Sequence, residues 1–218
     1  MTRLALALVA VVWTIAGAAA RAEAPPIRIG VLNDMSGIYA DYLGIGSVIA
    51  AQLAAEDAGT VAGRPVEIVS ADHLNKPDVG LNIARQWLDT GGVGMIADVP
   101  NSAVALAVAD LVRQRNKVFL GSGAGTADLT GKACSPNTVH WTYDTWEAGH
   151  SLADAVIARG GTKWFQLTAD YAFGTALEHT TTEAVKQAGG QVVGSARHPL
   201  GTSDFSAFLL DAQSSGAN

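Results

Sequence analysis

An α/β fold on parallel strands is predicted by three features of the 218-residue sequence. Short β-rich runs alternate with segments of helical spacing. Several of the runs are apolar on consecutive residues, as expected where helices cover both faces of a sheet. Glycine and proline mark the junctions between them. Repeated strand–helix–strand units of this kind give a doubly wound α/β sheet.

The elements follow in order. Residues 1–22 begin with Arg3, continue with the uncharged apolar run Leu4 to Ile15, and end in small residues. Ala18-Ala19-Ala20 and Ala20-Arg21-Ala22 both fit an A-x-A cleavage site, the pattern of a secretory signal peptide and hence of export to the periplasm. The apolar core stops short of the roughly 20 residues that a membrane span needs. No other stretch is long and apolar enough, so the mature protein is not expected to span a membrane. Strands are predicted at Ile27–Leu32, Val66–Ala71, Val93–Ala97, Lys117–Leu120, Thr138–Thr142, Trp164–Thr168 and Gln191–Ala196. Helices are predicted at Gly44–Ala58, Asp78–Asp89, Ser102–Arg115, Thr145–Arg159, Gly174–Ala188 and Ser203–Gln213. In the first helix Ile45, Val48, Ile49 and Leu53 share a stripe, expected to face the sheet. Gly59, Gly63 and Pro65 read as a break before the second strand. Gly160 and Gly189 stand at helix C-termini. Thr130 to Asn137, with Gly131 and Pro136, reads as a passage between two lobes, 23–135 and 136–218.

The net charge is −6, and removal of Arg3 and Arg21 takes it to about −8. An acidic chain without a basic stripe argues against nucleic acid as a partner. The lone cysteine, Cys134, allows no internal disulfide, so a buried core must hold the chain together.

Enzyme motifs are absent. The sequence has no G-x-S-x-G nucleophile elbow. The five histidines (73, 140, 150, 179 and 198) show no metal-binding spacing, so no metal site is expected. The glycine-rich stretch LGSGAGTADLTG, residues 120–131, has Gly121, Gly123 and Gly125 but Thr126 where a dinucleotide fingerprint needs its third glycine. It also lacks the Gly-Lys-Ser/Thr ending of a Walker loop. No nucleotide or other cofactor is expected.

What remains is a set of loops at strand ends, the rim where open α/β sheets bind ligands. Gly123 and Gly125 would let a ligand approach the backbone, and Thr126 adds a hydroxyl. Asn101 or Ser102 is a natural N-cap, and the helix terminus there accepts a carboxylate without a basic side chain. TADYAFGTAL (168–177) brings Asp170, Tyr171 and Phe173; MSGIYADYLG (35–44) brings Tyr39, Asp41 and Tyr42; HWTYDTW (140–146) follows a further strand. All five loops should fall on one side of a parallel sheet.

Taken in order, IRIGVLNDMSGIYADYLG, AGRPVEIVSADHLNKPD, PNSAVALAVADLVRQRNKVFLGSGAGTADLTG, HWTYDTWEAGHSLADAV and TADYAFGTALE resemble the solute-binding proteins of branched-chain amino acid ABC transporters. WTYDT and DYAFG look closest to members that bind aromatic carboxylates. The resemblance covers residues 27–218 and implies a type I periplasmic-binding fold: two doubly wound lobes, the second incomplete here. It implies a non-enzymatic receptor that captures a small carboxylate between the lobes and delivers it to an inner-membrane permease. A ligand-sensing regulator of the same fold is the alternative. Carried over by position, the ligand carboxylate would meet Asn101, Ser102, Gly123, Gly125 and Thr126. Tyr42 matches a first-lobe wall, Tyr171 and Phe173 the second-lobe rim, and Trp141 and Tyr143 the crossover side.

Three departures stand out. Amino-acid binders often carry a first-lobe disulfide whose matching positions here are Asn75 and Pro100. Gly125 stands where those binders have a hydroxyl, which weakens the case for an amino-acid ligand. Family members are also longer, so the chain is expected to be a piece that stops in the second lobe.

Overall fold

The computed structural model describes residues 24–218; the expected signal peptide lies outside them. The chain runs β1 (Ile27–Asn33), α1 (Gly44–Ala58), β2 (Thr60–Val61), β3 (Arg64–Asp72), α2 (Pro77–Asp89), β4 (Val93–Asp98), α3 (Ser102–Gln114), β5 (Val118–Gly121), a 3-10 turn (Ala127–Leu129) and β6 (Thr138–His140). It continues with α4 (Thr145–Ile157), β7 (Lys163–Ala169), α5 (Ala172–Gln187), β8 (Gln191–His198) and α6 (Ser206–Ser214).

The first sheet has the order β2-β3-β1-β4-β5-β6 and is parallel except for β2, which pairs antiparallel with β3. β7 and β8 form a separate parallel pair, with Lys163 opposite Gln191 and Ala169 opposite His198. β6 pairs with β5 (Phe119 opposite Thr138), so the chain leaves the first sheet after His140. The passage expected at 130–137 therefore precedes the last strand of that sheet.

The step from β1 to β3 and the step from β3 to β4 run in opposite directions along the sheet. Connections of one hand then place α1 on one face and α2 with α3 on the other. The core sits on the α2/α3 side: Leu32, Val93, Ile96 and Phe119 from the strands meet Ala84, Leu88, Val104, Ala105, Val108, Leu111 and Val112. A smaller core, Ala153, Ala184 and Val185 with Ile157, Trp164 and Val192, joins α4, α5 and the second pair of strands.

The helix ends have local causes. Pro77 occupies the first turn of α2, where its missing N–H costs nothing. The Asn101 side chain accepts from the amides of Ala103 and Val104 and so caps α3; Asp144 caps α4 through the Glu147 amide. Gly160 and Gly189, with φ of 93° and 86°, follow α4 and α5 in the left-handed region expected of them.

Three expectations change. The stripe on α1 does not bury: Val48 is 4% exposed, but Ile45, Ile49 and Leu53 are 62%, 48% and 56% exposed. Gly44 and Val48 are the buried residues of α1, and Ala51 and Ala55 on the same side are half-buried. The break at Gly59–Pro65 is a hairpin, with Ala62 and Gly63 both at positive φ (52° and 73°), the turn that matches strand twist. β6 ends at His140, short of Thr142, and α5 begins at Ala172, which draws Phe173 into its first turn.

Candidate functional site

At the carboxyl ends of β1 and β4 the strand order reverses, the crevice where open sheets bind ligands. The β4–α3 connection is unusual there. Asp98 and Val99 both have positive φ, 78° and 63°, a strained conformation for a β-branched residue, and the Val99 amide still donates to Leu32 O at 3.0 Å. Asp98 is buried and hydrogen-bonded to the Asn33 amide and, at 3.3 Å, to the Ser122 hydroxyl. Burial pushes its carboxyl above the usual range, and the Ser47, Ser122 and Asn33 groups pull the other way. Asp98 thus ties β1, β4 and the glycine loop together behind the α3 terminus.

Asn101 is committed. Its Oδ1 accepts from Ala103 N at 2.8 Å and Val104 N at 3.2 Å, and its Nδ2 donates to Asn75 Oδ1 at 2.6 Å. That last bond joins the two loops for which the family resemblance suggested a disulfide; the partner of Asn75 is Asn101 rather than Pro100. Ser102 differs. It is 1% exposed, stands first in α3, and its hydroxyl has no partner among the described residues. A buried hydroxyl without a partner costs free energy, about 1–3 kcal/mol, unless something else meets it.

Gly123 and Gly125 were expected to let a ligand reach the backbone. A Cβ on Gly123 would lie 2.8–2.9 Å from Asp98 Oδ1, Leu43 Cδ1 and Pro100 Cα. The missing side chain there serves loop-on-loop packing. A Cβ on Gly125 would lie 2.9 Å from Phe173 and 3.0 Å from Tyr143, so aromatic rings cover that position. Thr126 is buried, and its hydroxyl accepts from Asp128 N at 3.3 Å, capping the 3-10 turn. Thr145 fixes the loop from the far side: its amide donates to Gly125 O at 2.8 Å and its hydroxyl accepts from Ala127 N at 3.1 Å.

Above the loop stands an aromatic cluster. Tyr171 caps α5 and lies 6.0 Å from Phe173, ring to ring, tilted by 34°. The Tyr171 hydroxyl is 2.7 Å from the Tyr39 hydroxyl, a bond between the first sheet's β1–α1 loop and the second sheet's β7–α5 loop. Tyr143 sits beside Tyr42, and burial, then the Tyr42 phenol, raises its pKa. Burial likewise raises Tyr39 and Tyr171, so both stay protonated at neutral pH. Tyr42 is 63% exposed at the rim, and Trp141 is 74% exposed.

The sequence-predicted residues thus form one connected path. Asn101 and Ser102 adjoin Pro100, which packs on Gly123; Gly125 meets Tyr143 and Phe173; Phe173 meets Tyr171. Sequence reasoning missed Tyr39 as a partner of Tyr171, although it had placed Tyr39 on the rim. It also missed Asp98 and Thr145, which hold the loops; only the two positive φ values mark the former.

Residues 26–218 match the periplasmic binding protein family. A Leu/Ile/Val-binding protein homolog of Brucella abortus is 29% identical over all of this chain and 55% of its own length. A periplasmic binding protein from Burkholderia mallei is 48% identical with a TM-score of 0.86, over 88% of this chain and 52% of that one. A branched-chain amino acid ABC transporter periplasmic ligand-binding protein from Burkholderia xenovorans is 41% identical with a TM-score of 0.73, over 88% and 51%. An ABC transporter solute-binding protein from Rhodopseudomonas palustris, solved with p-hydroxybenzoic acid, is 28% identical with a TM-score of 0.78, over 88% and 52%. The chain spans about half the length of these relatives.

Proposed function

The chain belongs to the periplasmic binding protein family, and from that premise we propose that it takes up a small carboxylate for an ABC importer. The ligand would lie between the lobe built on the first sheet, which ends with β6 at His140, and the lobe that follows, in the periplasm, and an inner-membrane permease would receive it. The single observation that carries this reading is Ser102, whose buried hydroxyl lacks a partner at the N-terminus of α3. A carboxylate there would accept from the hydroxyl and gain from the helix dipole without any lysine or arginine.

The other assignments follow from position. Asn101, Gly123 and Thr126 shape and cap the loops that hold the anion end. Gly125, Tyr143, Phe173 and Tyr171 line the ligand body, and Tyr42 walls the rim. The Tyr143 and Phe173 rings at Gly125, with Tyr171 beside Phe173, suit an apolar or aromatic body with few polar groups to orient it. The p-hydroxybenzoate held by the Rhodopseudomonas relative supports an aromatic acid over a branched-chain amino acid. No catalytic step is assigned.

Titration calorimetry of the purified chain with benzoate and with leucine tests the proposal. Benzoate should bind, and Ser102→Ala should weaken it about tenfold, the worth of one hydrogen bond to a charged group. The melting temperature of the unliganded chain should not fall, because the removed hydroxyl bonds nothing in the protein. Absence of binding, or an equal loss of stability and affinity, would overturn it.

A further inference from the structure

Tyr39 and Tyr171 are 132 residues apart in sequence and come from different sheets, yet their hydroxyls meet at 2.7 Å. Each is held from behind. The Asp34 carboxylate accepts from the Tyr39 amide at 3.0 Å and the Gly37 amide at 2.9 Å, which clamps the turn carrying Tyr39. The Tyr171 amide donates to Ala169 O at 2.9 Å, and the neighbouring Asp170 amide donates to His198 O at 2.8 Å. These bonds fix the backbone of the two loops that carry the phenols.

The pair also stands at a defined place. Contacts lead from the α3 terminus through Pro100 to Gly123, along the loop to Gly125, then to the Tyr143 and Phe173 rings, and end at Tyr171 and Tyr39. An aromatic acid anchored by its carboxylate at α3 would direct the opposite end of its ring toward the pair. In a hydroxyl–hydroxyl bond one partner donates, so the accepting phenol keeps a free proton and the donor keeps its lone pairs.

Resting on the carboxylate-binding reading, we infer that Tyr39 and Tyr171 together recognise a hydroxyl on the far end of the ligand ring, selecting a para-hydroxylated benzoate over the bare ring. A ring that enters between the phenols parts them. A ligand hydroxyl then bonds both, whereas a bare ring leaves two half-buried phenols without partners. Sites built to bond a hydroxyl reject the analogue that lacks it for this reason. Neither phenol ionises near neutral pH, so the preference should hold from pH 6 to pH 8.

The test is the affinity ratio of 4-hydroxybenzoate to benzoate, measured by calorimetry on the purified chain, on Tyr39→Phe and on Tyr171→Phe. The chain should favour 4-hydroxybenzoate about tenfold or more, one to two hydrogen bonds. Each variant should bring the ratio close to one, and a cooperative urea unfolding transition near that of the unaltered chain reports that it is folded. A ratio near one in the unaltered chain, or a ratio that survives in both variants, overturns the inference and leaves carboxylate binding standing. Failure of both acids to bind overturns both readings.

Discussion

His73 is fully buried, its Nδ1 accepts from the Asn75 amide at 3.0 Å, and its Nε2 has no partner among the described residues. Burial lowers its pKa from the ordinary 6.5, and the Asp34 and Asp72 carboxylates oppose that only in part. The unfolded chain then binds more protons than the folded one just below pH 6.5. Stability from a neutral His73 is thus complete above that pH and is lost as pH falls through 6.5 toward the folded value. Unfolding in urea at pH 7.5 and 5.5 should show the loss, and His73→Asn, whose Oδ1 can replace the acceptor, should flatten it. An unchanged pH slope would exclude His73 as the cause. Residues of this kind were invisible to sequence reading, since a histidine in a polar loop gives no sign that it will be sealed in. Ser102 was legible because a hydroxyl before an apolar helix is a start signal; that its hydroxyl would lack a partner was not.

At the scale of elements, periodicity marks where a helix lies better than which of its faces is covered. α1 occupies its predicted span, yet of its expected stripe only Val48 is buried. Val48→Ala should therefore cost about 1–3 kcal/mol. Ile45→Lys, at a position 62% exposed, should change stability by no more than about 0.5 kcal/mol. Chemical denaturation of the two variants decides the matter, and a larger loss from Ile45→Lys would mean that α1 presents its other side to the sheet. The hairpin at Thr60–Pro65 escaped notice because Ala62 gives no hint of positive φ. The start of α5 shifted because Tyr171 caps it through its extended backbone alone, without a side-chain oxygen to announce the end.

At the scale of the molecule, the two sheets meet where Gly125 lies under Tyr143 and Phe173 and where Tyr39 meets Tyr171. Gly125→Ala adds a methyl at 2.9–3.0 Å from both rings, which must then shift. Overpacking of this order costs about 1–3 kcal/mol, here charged to the contact between the sheets rather than to either core. Small-angle scattering should show a larger radius of gyration for Gly125→Ala, and benzoate affinity should fall about tenfold or more. A compact variant with unchanged affinity would show that the rings yield without cost.

The sequence by itself determined the alternation of strands and helices, the class of fold, and the loops that gather at strand ends. Those features rest on local signals: residue periodicity, caps and breaks within a few positions. Tertiary structure alone decided strand order, the covered face of α1, the Asn75–Asn101 and Tyr39–Tyr171 bonds, and the isolation of the Ser102 hydroxyl. Each of these depends on groups far apart in the chain, whose meeting is set by how sheets and helices pack and not by any neighbouring residue.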